Sequence, residues 1–207
     1  MLGGRRANIA TVLPQRPPAK QLPLLECADR QAWDAWLSEH HDSSEGVWLK
    51  LAKKGAPRAT LTQSEAVEVA LCHGWIDGQV GKLDEHFYRQ RFTHRKPRSN
   101  WSRINRDRAL ELIERGLMRD GGLEEVEAAR SDGRFDAAYE PQSAITVPPD
   151  FQEALDANPV AAEFFATLTG VRRYAFLYRI TTAKRADTRA RKIAEYVALL
   201  AERRTLN

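Results

Sequence analysis

The stretch "GWIDGQVGKLDEHFYRQRFTHRKPRSNW", residues 74–101, decides how the chain is read. Its first part, Trp75 to Arg95, favours two short strands, because Gly78 and Gly81 mark a bend or bulge and Asp84 to His86 supply the reversal between them. In the second strand Tyr88, Gln90 and Phe92 share one face, and Phe87, Arg89, Arg91 and Thr93 the other, since side chains alternate across a strand. Pro97 disfavours helix in its predecessor, and Ser99 is the expected N-cap of a helix that turns Trp101, Ile104, Ala109, Leu112 and Ile113 toward the core. A basic hairpin is thus expected to feed a helix N-terminus.

Upstream, "TLTQSEAVEVALCHG" carries a capping box, Thr62 with Glu65, before a helix that stops at Gly74. "GVWLKLAKKG" alternates Val47, Leu49 and Leu51 against Trp48 and Lys50, the period of a half-buried strand. "LPLLECA" (Leu22 to Ala28) predicts a short strand, after which Asp29 caps a helix with Ala32, Trp33, Trp36 and Leu37 at helical spacing. Downstream, "DGGLEEVEAARSDG" predicts another helix. "RFDAAYEPQSAITVPPD" loses periodicity, and about four helices follow, punctuated by Asn158-Pro159, Gly170 and Thr181-Thr182.

The pattern predicts an α+β fold: a small, mainly antiparallel sheet with packed helices, followed by an all-helical C-terminal segment. Residues 1–21 are expected to be a flexible extension, 22–132 the α+β domain with its basic hairpin, 133–149 a linker or wrapping segment, and 150–207 a helical segment. No internal repeat is present.

Composition sets outer limits. With 207 residues, 43% of them hydrophobic and five Trp among them, the chain has enough apolar surface to offset the entropy of ordering, which excludes a wholly disordered protein. A net charge of +4 is modest, and it falls in blocks. The region from Lys82 to Arg108 is basic, Asp120 to Asp156 is acidic, and the chain turns basic again after Arg172. Such alternation predicts that much of the charge is satisfied internally. Cys27 and Cys72 fall in no metal or redox spacing and point to a reduced, cytoplasmic protein, with one disulfide between them as the alternative. No run approaches the ~18 apolar residues of a spanning helix, and no cofactor or metal motif is present.

The candidate binding residues are Trp75, Asp77, Arg89, Arg91, Arg95, Lys96, Arg98, Ser99 and Trp101. Arginine's planar fork binds carboxylate and phosphate bidentately, and a helix start near Ser99 would add unpaired N–H groups. The expected partner is an anionic small molecule or an acidic protein surface. Aromatics interleaved with bases also admit a nucleic acid, which is not favoured. The competing expectation is a solvated hairpin whose arginines pair with the acidic middle segment. Asp77 is the weak catalytic candidate, set against a structural ion pair with Arg89 or Arg91. Cys72-His73 lacks an orienting third group, and the histidines have no metal-ligand spacing. The C-terminal helix bears a basic face around Lys184, Arg185, Arg189, Arg191 and Lys192, expected to lie in water while Ile193, Val197 and Leu200 dock.

Three segments, "EAVEVALCHGWIDG", "YRQRFTHRKPRSNWSRIN" and "TTAKRADTRARKIAEYVALL", together resemble the YdeI/OmpD-associated family, also called the bacteriocin-protection or OmdA-like family. The resemblance runs from about Leu24 to Leu200, with the 150–207 segment as its OmdA-like part. It departs at His73, where the family has an aromatic, and at His94, where it has proline. The resemblance implies an α+β N-terminal part, a helical C-terminal segment, and a bacterial accessory role in envelope stress or antimicrobial-peptide protection with a porin or other envelope partner. It implies no defined reaction. The expectation is therefore a non-enzymatic binding protein, with an enzyme built on Asp77 or a nucleic-acid-binding protein as alternatives.

Overall fold

The computed structural model describes residues 22–206, so the extension expected over 1–21 lies outside the described residues. Local chemistry sets the first elements. Asp29 caps α1 (Arg30–His40), its carboxylate accepting from the Ala32 amide at 2.9 Å, and the helix buries Trp33 and Leu37 one turn apart. Thr62 and Glu65 form the predicted reciprocal cap of α2 (Gln63–Cys72). Gly74 ends that helix at φ +73°, where a Cβ would lie 2.6 Å from the Gly121 carbonyl oxygen. Glycine is required there both for the left-handed turn and for the close approach.

Strands β1 (Leu24–Glu26), β2 (Val47–Ala52), β3 (Trp75–Lys82) and β4 (Phe87–His94) form one sheet in the order β1-β2-β4-β3. β1 is parallel to β2, and the other two pairings are antiparallel. The fold is α+β with a mainly antiparallel sheet, as the pattern predicts. Val47, Leu49 and Leu51 are buried in alternation. At the reversal, the Asp84 carboxylate accepts from the amides of His86 and Phe87, each at 2.8 Å. Asp77 faces Phe92 and Val80 faces Gln90, so three steps along β3 answer two along β4. The extra residue is the bulge that the glycines announce.

The first core centres on Trp33, packed edge-on against Trp75 and Phe92 with centroids 6.4 and 5.6 Å apart. All three are fully buried. Burying a large apolar side chain contributes roughly 1.5–3 kcal/mol, so this trio anchors α1 to the hairpin. α3 (Arg103–Glu114) and α4 (Asp120–Ser131) close over α2.

The start of α3 corrects the sequence reading. Ser102, not Ser99, is the N-cap, accepting from the Asn105 amide at 3.2 Å. Arg98 adopts φ +65°, and the Ser99 amide bonds to the Lys96 carbonyl, which closes a turn before any helix begins. The chain then pairs with Tyr139: Tyr139 N–H donates to the Trp101 carbonyl at 2.9 Å, and Arg103 N–H to the Tyr139 carbonyl at 2.8 Å. Trp101 therefore enters the core from an extended segment, and Ile104, expected to be buried, is 51% exposed.

A second apolar core lies in α5 (Pro149–Asp156), α6 (Pro159–Thr167), α7 (Gly170–Thr181) and α8 (Ala186–Ala201), the four helices predicted. Phe151, Phe165, Phe176, Tyr196 and Leu200 fill it. Asn158 caps α6 with Pro159 in its first turn. The two cores meet through the irregular chain between α4 and α5. Phe135 packs into the first core, Tyr139 packs edge-on against Tyr178 at 4.7 Å, and the Tyr174 hydroxyl donates to the Glu140 carbonyl at 3.2 Å.

Candidate anion-binding face

The fold separates the residues that the sequence groups together. Trp75 is core: its indole Nε1 donates to the His41 carbonyl at 3.1 Å, and its ring meets Trp33 and Trp36 edge-on. Trp101 is 1% exposed and offers no stacking surface to a ligand. Asp77 points to the core side of the sheet, because its register partner Phe92 does, and its carboxylate accepts from Gln90 Nε2 at 3.0 Å. Arg89 and Arg91 leave β4 on the opposite face. The ion pair expected between them and Asp77 does not form.

Arg95 is buried as well, at 1% exposure. Its guanidinium lies 3.7 Å over the Trp101 ring, and Nη1 donates to the Ser99 hydroxyl at 3.3 Å. Nε and Nη2 are sealed from solvent without a hydrogen-bond partner. Loss of hydration holds its pKa down at about 10, opposed by the charge of Glu125, and it remains a cation at neutral pH. Ser99 is engaged twice, its hydroxyl by Arg95 and its carbonyl by Arg134 at 2.9 Å. Lys96 and Arg98 are exposed in the turn. The helix start expected at Ser99 does not form, since α3 begins at Arg103 with Ser102 as its cap.

Arg89 and Arg91 remain on the outer face of the sheet, two residues apart and half-exposed. Trp48, half-exposed on β2, is the register partner of Arg91, and the Arg89 guanidinium lies 4.4 Å over its ring. On the other side β3 presents glycines. A Cβ at Gly81 would lie 3.0 Å from Arg89 Nε, and one at Gly78 would lie 3.6–4.0 Å from Arg91. The absence of a side chain at Gly81 is what gives Arg89 room to lie across the strand, whereas a Cβ at Gly78 would make only an ordinary contact with Arg91. Lys50 shares this face but is bound to Glu26 at 3.0 Å, and Glu26 also pairs with Arg58. Neither Arg89 nor Arg91 has a carboxylate partner among the described residues. Trp48 and Lys50 were absent from the expected set. Their alternation against Val47, Leu49 and Leu51 put them on the outer face, but only the cross-strand register brings them to the arginines.

Residues 144–203 match the family model described as Bacteriocin-protection, YdeI or OmpD-Associated. The chain carries a YdeI/OmpD-associated domain. Residues 25–125 match a second model, described as Domain of unknown function (DUF8412). No curated protein and no solved structure matches the chain. The resemblance expected to run continuously from Leu24 to Leu200 is thus divided. The YdeI/OmpD-associated model covers the four C-terminal helices, while the sheet, α1 to α3 and the arginine face fall under the other description.

Beyond the YdeI/OmpD-associated helices, a second polar cluster lies at the C-terminal end of α2. His73 Nε2 lies 2.8 Å from Asp34 Oδ1, and Asp34 Oδ2 accepts from Arg119 at 3.1 Å. Burial pushes the His73 pKa down against the opposing pull of Asp34. Burial pushes the neighbouring Cys72 thiol up to about 11, so it stays protonated and a poor nucleophile at neutral pH. Among the described residues no three His, Cys, Asp or Glu side chains converge as metal ligands, and no helix is long and apolar enough to cross a membrane.

Proposed function

We propose that the protein is a non-enzymatic accessory protein that holds an acidic protein surface on the Arg89, Arg91 and Trp48 face of its sheet. The observation that supports this most is the pair of arginines without carboxylate partners among the described residues, set side by side next to an indole. Arginine and tryptophan are the side chains that most often anchor protein interfaces, and alternate positions on a sheet present them as a broad face suited to a protein rather than to a small molecule. Asp77 is held by Gln90 and Cys72 is held protonated, which favours binding over catalysis. On this reading the α+β unit of residues 22–132 carries the face, 133–149 wraps between units, and 150–207 is the helical YdeI/OmpD-associated segment. A protective role against bacteriocins is carried over from that family's description, while a role in envelope stress and an envelope-associated partner are carried over from the resemblance of the three sequence segments. Cytoplasmic residence accords with Cys27 and Cys72 being buried free thiols.

A glutamate-rich peptide carrying a fluorophore tests the reading by anisotropy at low salt, where such contacts are least screened. Arg89→Ala with Arg91→Ala is expected to weaken binding by about tenfold or more, as for loss of close interfacial charges, while Lys96→Ala with Arg98→Ala changes it by less than about twofold. Peptide binding that survives the Arg89/Arg91 change removes this face from the account. A thymidine oligonucleotide that binds more tightly through the same arginines would make nucleic acid the ligand instead.

A further inference from the structure

A cleft of about 570 Å³ opens where the two units meet, lined from one side by Asn100, Asp132, Arg134 and Tyr139 and from the other by Thr182 and Lys184. Its volume is that of a pocket for a small organic molecule, and such pockets favour seams between units. Arg134 gives it a built polar group. The residue is 6% exposed, and two of its three nitrogens are fixed. Nε bonds both Asp132 oxygens at 2.8 and 2.7 Å, and Nη1 donates to the Ser99 carbonyl at 2.9 Å. Nη2 has no partner among the described residues, yet it is not sealed from solvent as the unpartnered nitrogens of Arg95 are. The guanidinium is therefore held at a set angle with one nitrogen left for the cleft.

The charges around it decide the ligand. Asp132 is bound to Arg134, and Glu140, also at the cleft, is bound to Arg103 at 2.7 Å. Lys184 is exposed, and its charge acts on the Asp132 carboxyl. Once the two pairs cancel, Lys184 is the charge at the cleft that forms no ion pair among the described residues, acting on Asp132 only from a distance. One surplus positive charge beside an oriented N–H matches one carboxylate. Gly133, Ala137 and Ala138 line the cleft with little bulk, and a Cβ added at Gly133 would meet nothing within 4 Å. Tyr139 adds an aromatic wall.

We propose that this cleft binds a small monocarboxylate with an apolar or aromatic body, its carboxylate between Arg134 Nη2 and Lys184 Nζ. The site is separate from the arginine face of the sheet and shares no residue with it. Benzoate is the probe, with benzamide as its neutral isostere and inorganic phosphate as the competing anion, followed by NMR shifts of the Gly133, Tyr139 and Thr182 amides. Benzoate is expected to shift these amides, and benzamide is not. Lys184→Ala, an exposed change that leaves the fold intact, weakens benzoate about fivefold, in line with a partly screened charge contact. Arg134→Gln weakens it by about tenfold or more. The Arg89/Arg91 variant leaves it unchanged, which separates failure here from failure of the protein-binding reading. Absence of shifts at these amides, equal binding of benzamide, tighter binding of phosphate, or full binding by Lys184→Ala would each overturn the proposal.

Discussion

In α8, Arg189 is locked: two nitrogens hold Asp150 of α5 at 2.6 and 2.8 Å, and the third donates to the Ile180 carbonyl at the end of α7. Nearby, Lys192 donates to the Arg179 carbonyl and Arg185 pairs with Asp187. On β4, Arg89 and Arg91 meet an indole and two glycines instead of carboxylates. Both stretches are dense in arginine; the first holds Arg189 while leaving Arg191 exposed, and the second leaves Arg89 and Arg91 without carboxylate partners among the described residues. The difference comes from the neighbours. α8 docks its Ile193 and Leu200 side among helices whose N-terminal acids and C-terminal carbonyls attract cations, whereas outward positions on β4 face strands bare of acids at those rows. Charge density along the chain thus says little about binding, and the partner supplied by the fold says most.

Arg95 tests this contrast at its extreme, since it has neither a carboxylate partner nor water. Burial pushes its pKa down to about 10, which corresponds to roughly 3 kcal/mol of unfavourable charge burial, partly repaid by stacking on Trp101. Arg95→Met keeps the length and packing of the side chain while removing the charge and the two unpartnered nitrogens. Replacing a poorly paired buried charge by a hydrophobe is commonly neutral or stabilising. The variant is expected to gain about 1–3 kcal/mol in urea unfolding. A loss of more than about 1 kcal/mol would show that the buried nitrogens serve the fold.

Arg189→Ala should act in the opposite direction and more weakly. It removes a two-point pair with Asp150 and a bond to a helix-terminal carbonyl, all partly exposed, so about 1 kcal/mol of stability is expected to be lost. Asp150→Asn should cost a similar amount, and the double variant less than the sum of the two, because both remove one interaction. Full additivity in unfolding measurements would mean that the pair contributes nothing, and the contrast between α8 and β4 would lose its first half.

The scaffold was legible where one local rule acts alone. Thr62 with Glu65, Asp29, the alternation of Val47, Leu49 and Leu51, and the glycine-marked bulge each carry their cause within a few residues. The site was legible in part. Arg89 and Arg91 could be placed on one face, but Trp48 reaches them across a pairing 43 residues away in register, Trp48 with Arg91. Ser99 and Ser102 are equally good caps as sequence. The choice rests on the φ of Arg98 and on the bonds of Trp101 and Arg103 to Tyr139, which no local pattern encodes. Arg134 lies in a stretch without periodicity, and its place at the cleft depends on Ser99 and on α7 and α8. Gly121 and Gly122 read as weak helix positions, yet a side chain at Gly122 would strike the Cys72 carbonyl, so they are what lets α4 approach α2.

The smallest effect concerns His73, a basic side chain whose charge burial removes rather than exposes. Its folded pKa lies below the ordinary 6.5, chiefly through desolvation and in spite of the hydrogen bond to Asp34. As pH falls through 6.5 the unfolded chain takes up this proton first, so the unfolded state binds more protons and stability declines toward lower pH. The contribution is fully present above 6.5 and is lost progressively between 6.5 and the lower folded value. Asp34, whose own pKa is lowered by His73 and Arg119 against desolvation, adds its decline only in the carboxylate range below 3.8. Thermal unfolding followed from pH 7.5 to 5 should therefore show a falling midpoint in the native chain. His73→Phe should flatten it, while Asp34 keeps Arg119 as its partner. A midpoint that rises on acidification would mean that the Asp34 hydrogen bond outweighs burial and that His73 is held as a cation. The cluster would then belong with Arg189 among the paired charges, rather than apart from them.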